Sequence, residues 1–159
     1  MIKVSIDTLI IGAVNMNEVI RIESEPDVKT YLDRLKYAIK NGAEIKFQIS
    51  RLVDTHRDIK FTNQYTISTL FPDENPIEAL KRELLTLTTE NYIQTVKDLS
   101  FPERSEMRVF GKTYNSTDDV YIKIRVELLG EYGNTTTFVM SFHFAERALS
   151  EDQYPYRIA

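Results

Sequence analysis

The sequence predicts an α+β domain: a mainly antiparallel sheet of four to six strands packed against two or three helices. Three observations carry that expectation. Residues 118 to 146, "DDVYIKIRVELLGEYGNTTTFVMSFHFAE", alternate apolar and polar side chains in two runs, as a half-buried hairpin does. "PDENPIEALKRELLTL" combines a helix start signal with apolar residues at helical spacing,. A second helical stretch closes on "NG" and leads straight into the alternating "AEIKFQIS". The 159 residues fit one domain, 1–159, long enough to bury a core,.

Along the chain, Ile2, Val4, Ile6 and Ile10 fall on one face of an expected strand, and "NEVIRIES" suits a second,. Pro26 and Asp27 open a helix with Val28, Leu32, Leu35 and Ile39 as its stripe; Gly42 suits its left-handed end,. In "AEIKFQIS", Ile45, Phe47 and Ile49 point inward and Lys46, Gln48 and Ser50 outward. Residues 51 to 65 are polar and unpatterned, and read as a loop with a short turn of helix or strand. Asn75 is placed to cap the next helix, with Pro76 first, Glu78 able to complete a capping box, and Ile77, Leu80 and Leu84 buried,. "TTENYIQTVKDL" predicts a further short helix capped by Thr88 or Thr89. "EMRVFGKTY" predicts a strand broken or bulged at Gly111, and "RALSEDQYPYRIA" a tail,.

Composition narrows the function. Hydrophobic residues are 42% and charged residues 28%, a soluble globular balance. No apolar run approaches the ~20 residues that cross a bilayer. "MIKVSIDTLIIG" alternates like a strand and is interrupted by Asp7, unlike a signal peptide,, so a cytoplasmic location is expected. There is no cysteine, and His56 and His143 share no ligand spacing. Neither a metal nor another cofactor is therefore expected. A net charge of −4 argues against broad, sequence-blind nucleic-acid binding,, and leaves room for a local basic site.

The hairpin supplies that site. Val120, Ile122, Ile124, Val126 and Leu128 alternate on one run, and Phe138, Met140, Phe142 and Phe144 on the other. Placing both rows on one face sets His143 opposite Tyr121 or Lys123, because a one-residue slip would turn one row to water. Tyr121, Lys123, Arg125 and His143 then share the other face, with Lys112 projecting from the neighbouring strand. Such a cluster suits RNA cleavage without a metal. Imidazole serves as base or acid near neutrality, and Lys123, Arg125 and the Tyr121 hydroxyl meet charge on the phosphate. The same row also fits a simple solvated face. His56, in "DTHRD", reads as a surface loop residue.

The order "ELLTLTTENYIQ", "MRVFGK", "DVYIKI", "FVMSFHFAE" and "YPYR" resembles the MqsR-like toxins of type II toxin–antitoxin modules. "YLDRLKYAIKNGAEIKFQ" fits the family's N-terminal portion, so the resemblance covers roughly residues 30 to 157; residues 1–25 form an extension outside it. It implies a RelE-like or microbial-ribonuclease fold and a bacterial endoribonuclease that cuts messenger RNA, neutralised by a cognate antitoxin that binds DNA through a helix-turn-helix. Carried over by position, Lys112, Tyr121, Lys123 and His143 match the motif, and Glu146 matches as an orienting or structural group. Where better-known members have a lysine after the helix tyrosine, this chain has Ile93 and Gln94, with Lys97 further on; Phe110 stands where some have tyrosine.

Those departures and the acidic balance support an alternative: a binding module without catalysis, such as an inactive toxin relative, an immunity protein or a phage-encoded inhibitor. Tyr154 and Tyr156 are its candidate anchors, since tyrosine is enriched in interface hot spots, although ordinary structural use of both is the reading the sequence favours.

Overall fold

The computed structural model describes residues 17–49, 58–129 and 134–158. The strand expected over residues 2 to 10, and His56, lie outside them. Among the described residues the strands are β1 (Glu18–Arg21), β2 (Glu44–Phe47), β3 (Tyr92–Asp98), β4 (Met107–Tyr114), β5 (Asp118–Leu129) and β6 (Asn134–Phe144). The helices are α1 (Glu25–Lys40), α2 (Asn63–Leu70) and α3 (Pro76–Leu84). One sheet runs β1-β3-β4-β5-β6-β2, and all its neighbours are antiparallel except β2 and β6. The chain is thus α+β, with a six-stranded mixed sheet. Among the described residues no helix is long and apolar enough to cross a membrane.

Local chemistry explains the helix ends. The Ser24 side chain accepts from the Asp27 amide at 3.3 Å, Pro26 lies in the first turn, and α1 closes at Asn41 before Gly42, whose φ is +85°,. At α3, Asn75 Oδ1 accepts from the amides of Ile77 and Glu78, leaving Pro76, which has no N–H to satisfy, as the first residue,.

Three expectations change. Residues 51 to 65 are expected as a loop with a short turn of helix or strand, yet residue 63 already begins α2, which is capped by Thr62 and pinned by the buried Asn63 and Thr66. "YIQTVKD", expected as a helix, is β3; Thr88 caps only a 3-10 turn over Thr89–Asn91. A bulge after Tyr92 explains the misreading. The register passes from Tyr92–Phe110 to Gln94–Val109, so Tyr92 enters one core and Ile93 and Val96 the other. The resulting three-residue spacing imitates a helix.

Gly111 breaks nothing either: β4 and β5 pair without interruption from Met107–Arg125 to Tyr114–Asp118. Its role is close approach. A Cβ there would collide with the Tyr154 hydroxyl and stand 2.7 Å from Leu149 Cδ1,.

Each face of the sheet has its own apolar cluster. Val28, Leu80, Phe110, Ile122 and Phe142 belong to the core under the three helices. On the outer face, Ile93, Val96, Met107 and Val109 gather around Tyr154 of the tail. Tyr154 is buried there, while Tyr156 stacks on Tyr92 at 6.1 Å and donates its hydroxyl to the Glu23 carbonyl. Both fasten the tail to the domain.

Candidate functional site

The outer face of the β5–β6 ribbon brings together part of the expected cluster. Even-numbered residues Val120, Ile122 and Ile124 are buried under the helices, so Tyr121, Lys123 and Arg125 turn the other way. Tyr121 lies directly opposite His143, and Lys123 opposite Ser141. The Tyr121 and His143 rings stack, with centroids 5.5 Å apart and planes at 27°. Beyond Lys123 the register shifts, putting Ile124 opposite Val139 and Arg125 opposite Phe138. Val139 therefore takes the core position expected for its even-numbered neighbours, and Met140 packs on the outer-face cluster. A bulge turns Met140 out of the expected apolar row.

His143 is 9% exposed, a partly closed imidazole rather than a wet one. Its Nδ1 lies 3.0 Å from the Phe144 carbonyl oxygen. A carbonyl only accepts, so in the neutral ring Nδ1 carries the hydrogen and Nε2 keeps a lone pair. Tyr121 is half-buried against the outer-face cluster.

Lys123 and Arg125 line a cleft of about 250 Å³ together with Arg104, Phe101, Asp98 and Glu18. Arg125 Nε is 3.3 Å from Glu127 Oε1, which also accepts from the Ser105 amide and hydroxyl. The Arg104 guanidinium lies 3.9 Å over the Phe101 ring, a cation–π pair at the cleft wall,. Neither Phe101 nor Arg104 stood out in the sequence, because "SFPERS" looks like a turn and has no periodicity.

Three expected members stand apart. Lys112 pairs with Val120 and so points to the helix side, where Nζ meets Thr86 Oγ1 at 2.7 Å and Glu83 Oε1 at 3.3 Å. One residue of pleat separates the two faces, and Lys112 is on the wrong one for the cluster. Lys97 lies opposite Val19, with its ammonium donating to the carbonyls of Pro102 and Arg104. It ties down the β3–β4 loop. Glu146 is exposed just beyond the end of β6.

Two buried carboxylates, Glu23 and Glu83, lie on the helix side. Burial alone would raise Glu23, but hydrogen bonds from Arg108 and Thr95 and the charges of Arg108 and Arg21 hold it below the ordinary value,. Arg108 supplies two contacts, at 2.9 and 3.0 Å. Burial opposes ionisation of Glu83 too, yet Tyr114, Arg82 and Lys112 keep it low. Tyr114 moves up in return, through burial and the hydrogen bond it donates to Glu83 at 2.6 Å. Glu83 binds α3 to β4, and Glu23 binds the segment before α1 to β3 and β4.

Among the described residues no group of three His, Cys, Asp or Glu side chains is placed to hold a metal ion. Comparison with family models, with curated proteins and with solved structures finds no match to this chain.

Proposed function

We propose that the chain is an endoribonuclease toxin that cleaves messenger RNA without a metal in a bacterial cytoplasm and is held in check by a cognate antitoxin. The observation that carries this reading is the Tyr121–His143 stack, with Lys123 next on the same face. His143 Nε2 takes the proton of the 2′-hydroxyl as that oxygen attacks the adjacent phosphorus. The 2′-oxygen–phosphorus bond forms and the bond to the 5′-oxygen breaks, leaving a 2′,3′-cyclic phosphate. Lys123, with Arg125 beyond it, balances the charge on the phosphorane, and the Tyr121 hydroxyl protonates the departing oxygen. The adjoining cleft, with Arg104 on Phe101, offers cations and an aromatic face to the single strand,.

The test is cleavage of single-stranded RNA in EDTA by the purified chain. His143→Ala and Lys123→Ala should each lower the rate by about 10²-fold or more while circular dichroism stays unchanged. Intact RNA after incubation with well-folded protein ends the enzyme reading.

A second reading, the non-catalytic binding module, draws support from the 9% exposure of His143 and the ion pair of Arg125 with Glu127. It predicts that His143→Ala leaves capture of the partner protein intact and that no RNA is cut at any protein concentration.

A further inference from the structure

A second hollow, of about 430 Å³, opens on the helix side between α2, the 3-10 turn Ile59–Phe61 before it, and the outer ends of β5 and β6. Its walls are aromatic: Phe61, Tyr65 and Phe144 all line it, and the Tyr65 and Phe144 rings meet edge to face at 6.2 Å. The walls are set by backbone contacts. The Phe144 amide donates to Thr66 Oγ1 at 2.8 Å, and the Tyr65 amide to the capping Thr62 hydroxyl at 3.3 Å. A ligand therefore meets a surface that is already ordered, which lowers the entropic cost of binding.

The polar lining is of two kinds. Lys60 brings an ammonium group, 5.1 Å from the centre of the Phe61 ring. Asp118 and Asp119 bring carboxylates with different duties. Asp119 is structural: its oxygens accept from Thr113 Oγ1 at 2.7 Å and from the Leu149 amide at 2.8 Å. Asp118 is exposed, with Thr117 Oγ1 at 3.5 Å, the outer limit of a hydrogen bond,. A carboxylate only accepts, through two oxygens side by side. A ligand matched to this hollow thus has a flat ring for the aromatic walls, two adjacent N–H donors for Asp118 and an anionic group for Lys60. Among the common nucleobases, only neutral guanine presents two adjacent N–H donors, N1–H and the 2-amino group, on its pairing edge. Adenine and cytosine set one amino group beside an acceptor, and uracil one N–H between two.

We infer that this hollow is a guanine-nucleotide site, accepting the base as a free nucleotide or within a single strand. The inference goes beyond the ribonuclease reading and does not rest on it.

The test is calorimetric titration of the intact chain with guanosine, inosine and adenosine 5′-monophosphates. The guanine nucleotide should bind saturably. The inosine nucleotide, which lacks the 2-amino group, should bind about tenfold more weakly or worse, as loss of a hydrogen bond to a charged acceptor requires, and the adenosine nucleotide more weakly still. Asp118→Asn should erase the guanine-over-hypoxanthine preference. Lys60→Ala should weaken the nucleotide and leave guanosine unchanged. Short DNA oligonucleotides with and without guanine, which have no 2′-hydroxyl to attack, separate the sources. A guanine-dependent gain over the mononucleotide marks a strand ligand, and no gain marks a free nucleotide. Absence of binding by guanosine 5′-monophosphate overturns the proposal, as does equal binding of the three nucleotides. Because that comparison uses the unmodified chain, it decides even if a variant fails to fold.

Discussion

The side-chain amide of Asn63 stands where a neighbouring strand would stand beside Phe142. Its Oδ1 accepts from the Phe142 amide at 3.0 Å, and its Nδ2 donates to the Met140 carbonyl at 3.1 Å and to the Gln48 carbonyl at 2.8 Å. β2 covers the edge of β6 as far as Val139; Asn63 and then Thr66, on α2, carry the edge onward. The helix thereby closes a strand edge that would otherwise offer unpaired groups to another chain.

Asn63→Ala should cost about 2–4 kcal/mol, because three backbone groups, the buried Phe142 amide among them, lose their partner,. Urea denaturation measures it, and a loss below about 1 kcal/mol would show that water replaces the amide without penalty. Self-association of the variant should rise as well, visible in light scattering.

Gly111→Ala should destabilise the chain by about 1–3 kcal/mol through overpacking and release the tail, since the new methyl group occupies the place of the Tyr154 hydroxyl. Limited proteolysis should then cut near Leu149, where the parent resists. Adding Tyr154→Phe should recover only part of the loss, because Leu149 Cδ1 still crowds the same point.

Acid should weaken the fold through three carboxylates. Glu23, Glu83 and Glu106 are all held below the ordinary 4.5. A carboxyl depressed in the folded chain contributes stability above its unfolded value, and that contribution is lost as pH falls toward the folded value. Denaturant midpoints should therefore hold steady from neutrality to about pH 5 and drop below it. Glu23→Gln should cost about 3 kcal/mol at pH 7 by leaving Arg108 without its partner. Its deficit against the parent should shrink in acid. A deficit unchanged down to pH 3 would contradict the assignment.

Lys112→Met separates the two faces of the sheet. Its ammonium sits with Glu83 and Thr86 beneath α3, so the substitution should lower thermal stability and change RNA cleavage by less than about twofold. A loss of cleavage matching that of Lys123→Ala, with the fold intact, would bring Lys112 back to the reacting phosphate.

Much of this architecture was readable from local signals. Asn75–Pro76 and Asn41–Gly42 mark helix ends because capping chemistry is short-ranged,. Alternation in "VYIKI" placed Tyr121 or Lys123 opposite His143 because register follows the buried face, and the structure selects Tyr121,. What misled the reading was each place where one extra residue breaks the period: after Tyr92, where a strand imitates a helix, and at Met140, where Val139 replaces the expected core residue. Such a bulge is stabilised by what packs on either side of it, and those partners are distant in the chain.

By itself, then, the sequence determined the class of fold, the hairpin and a register that left Tyr121 or Lys123 opposite His143, all consequences of neighbours a few residues apart or of strict alternation; the fold chose Tyr121. Only the tertiary structure decided which face each cation serves, that Lys112 and Lys97 are held away from His143, and that the tail covers part of the outer sheet. A side chain's partner is set by whatever lies across the pleat. For Lys112 that is Glu83 on a helix, a contact no local pattern encodes.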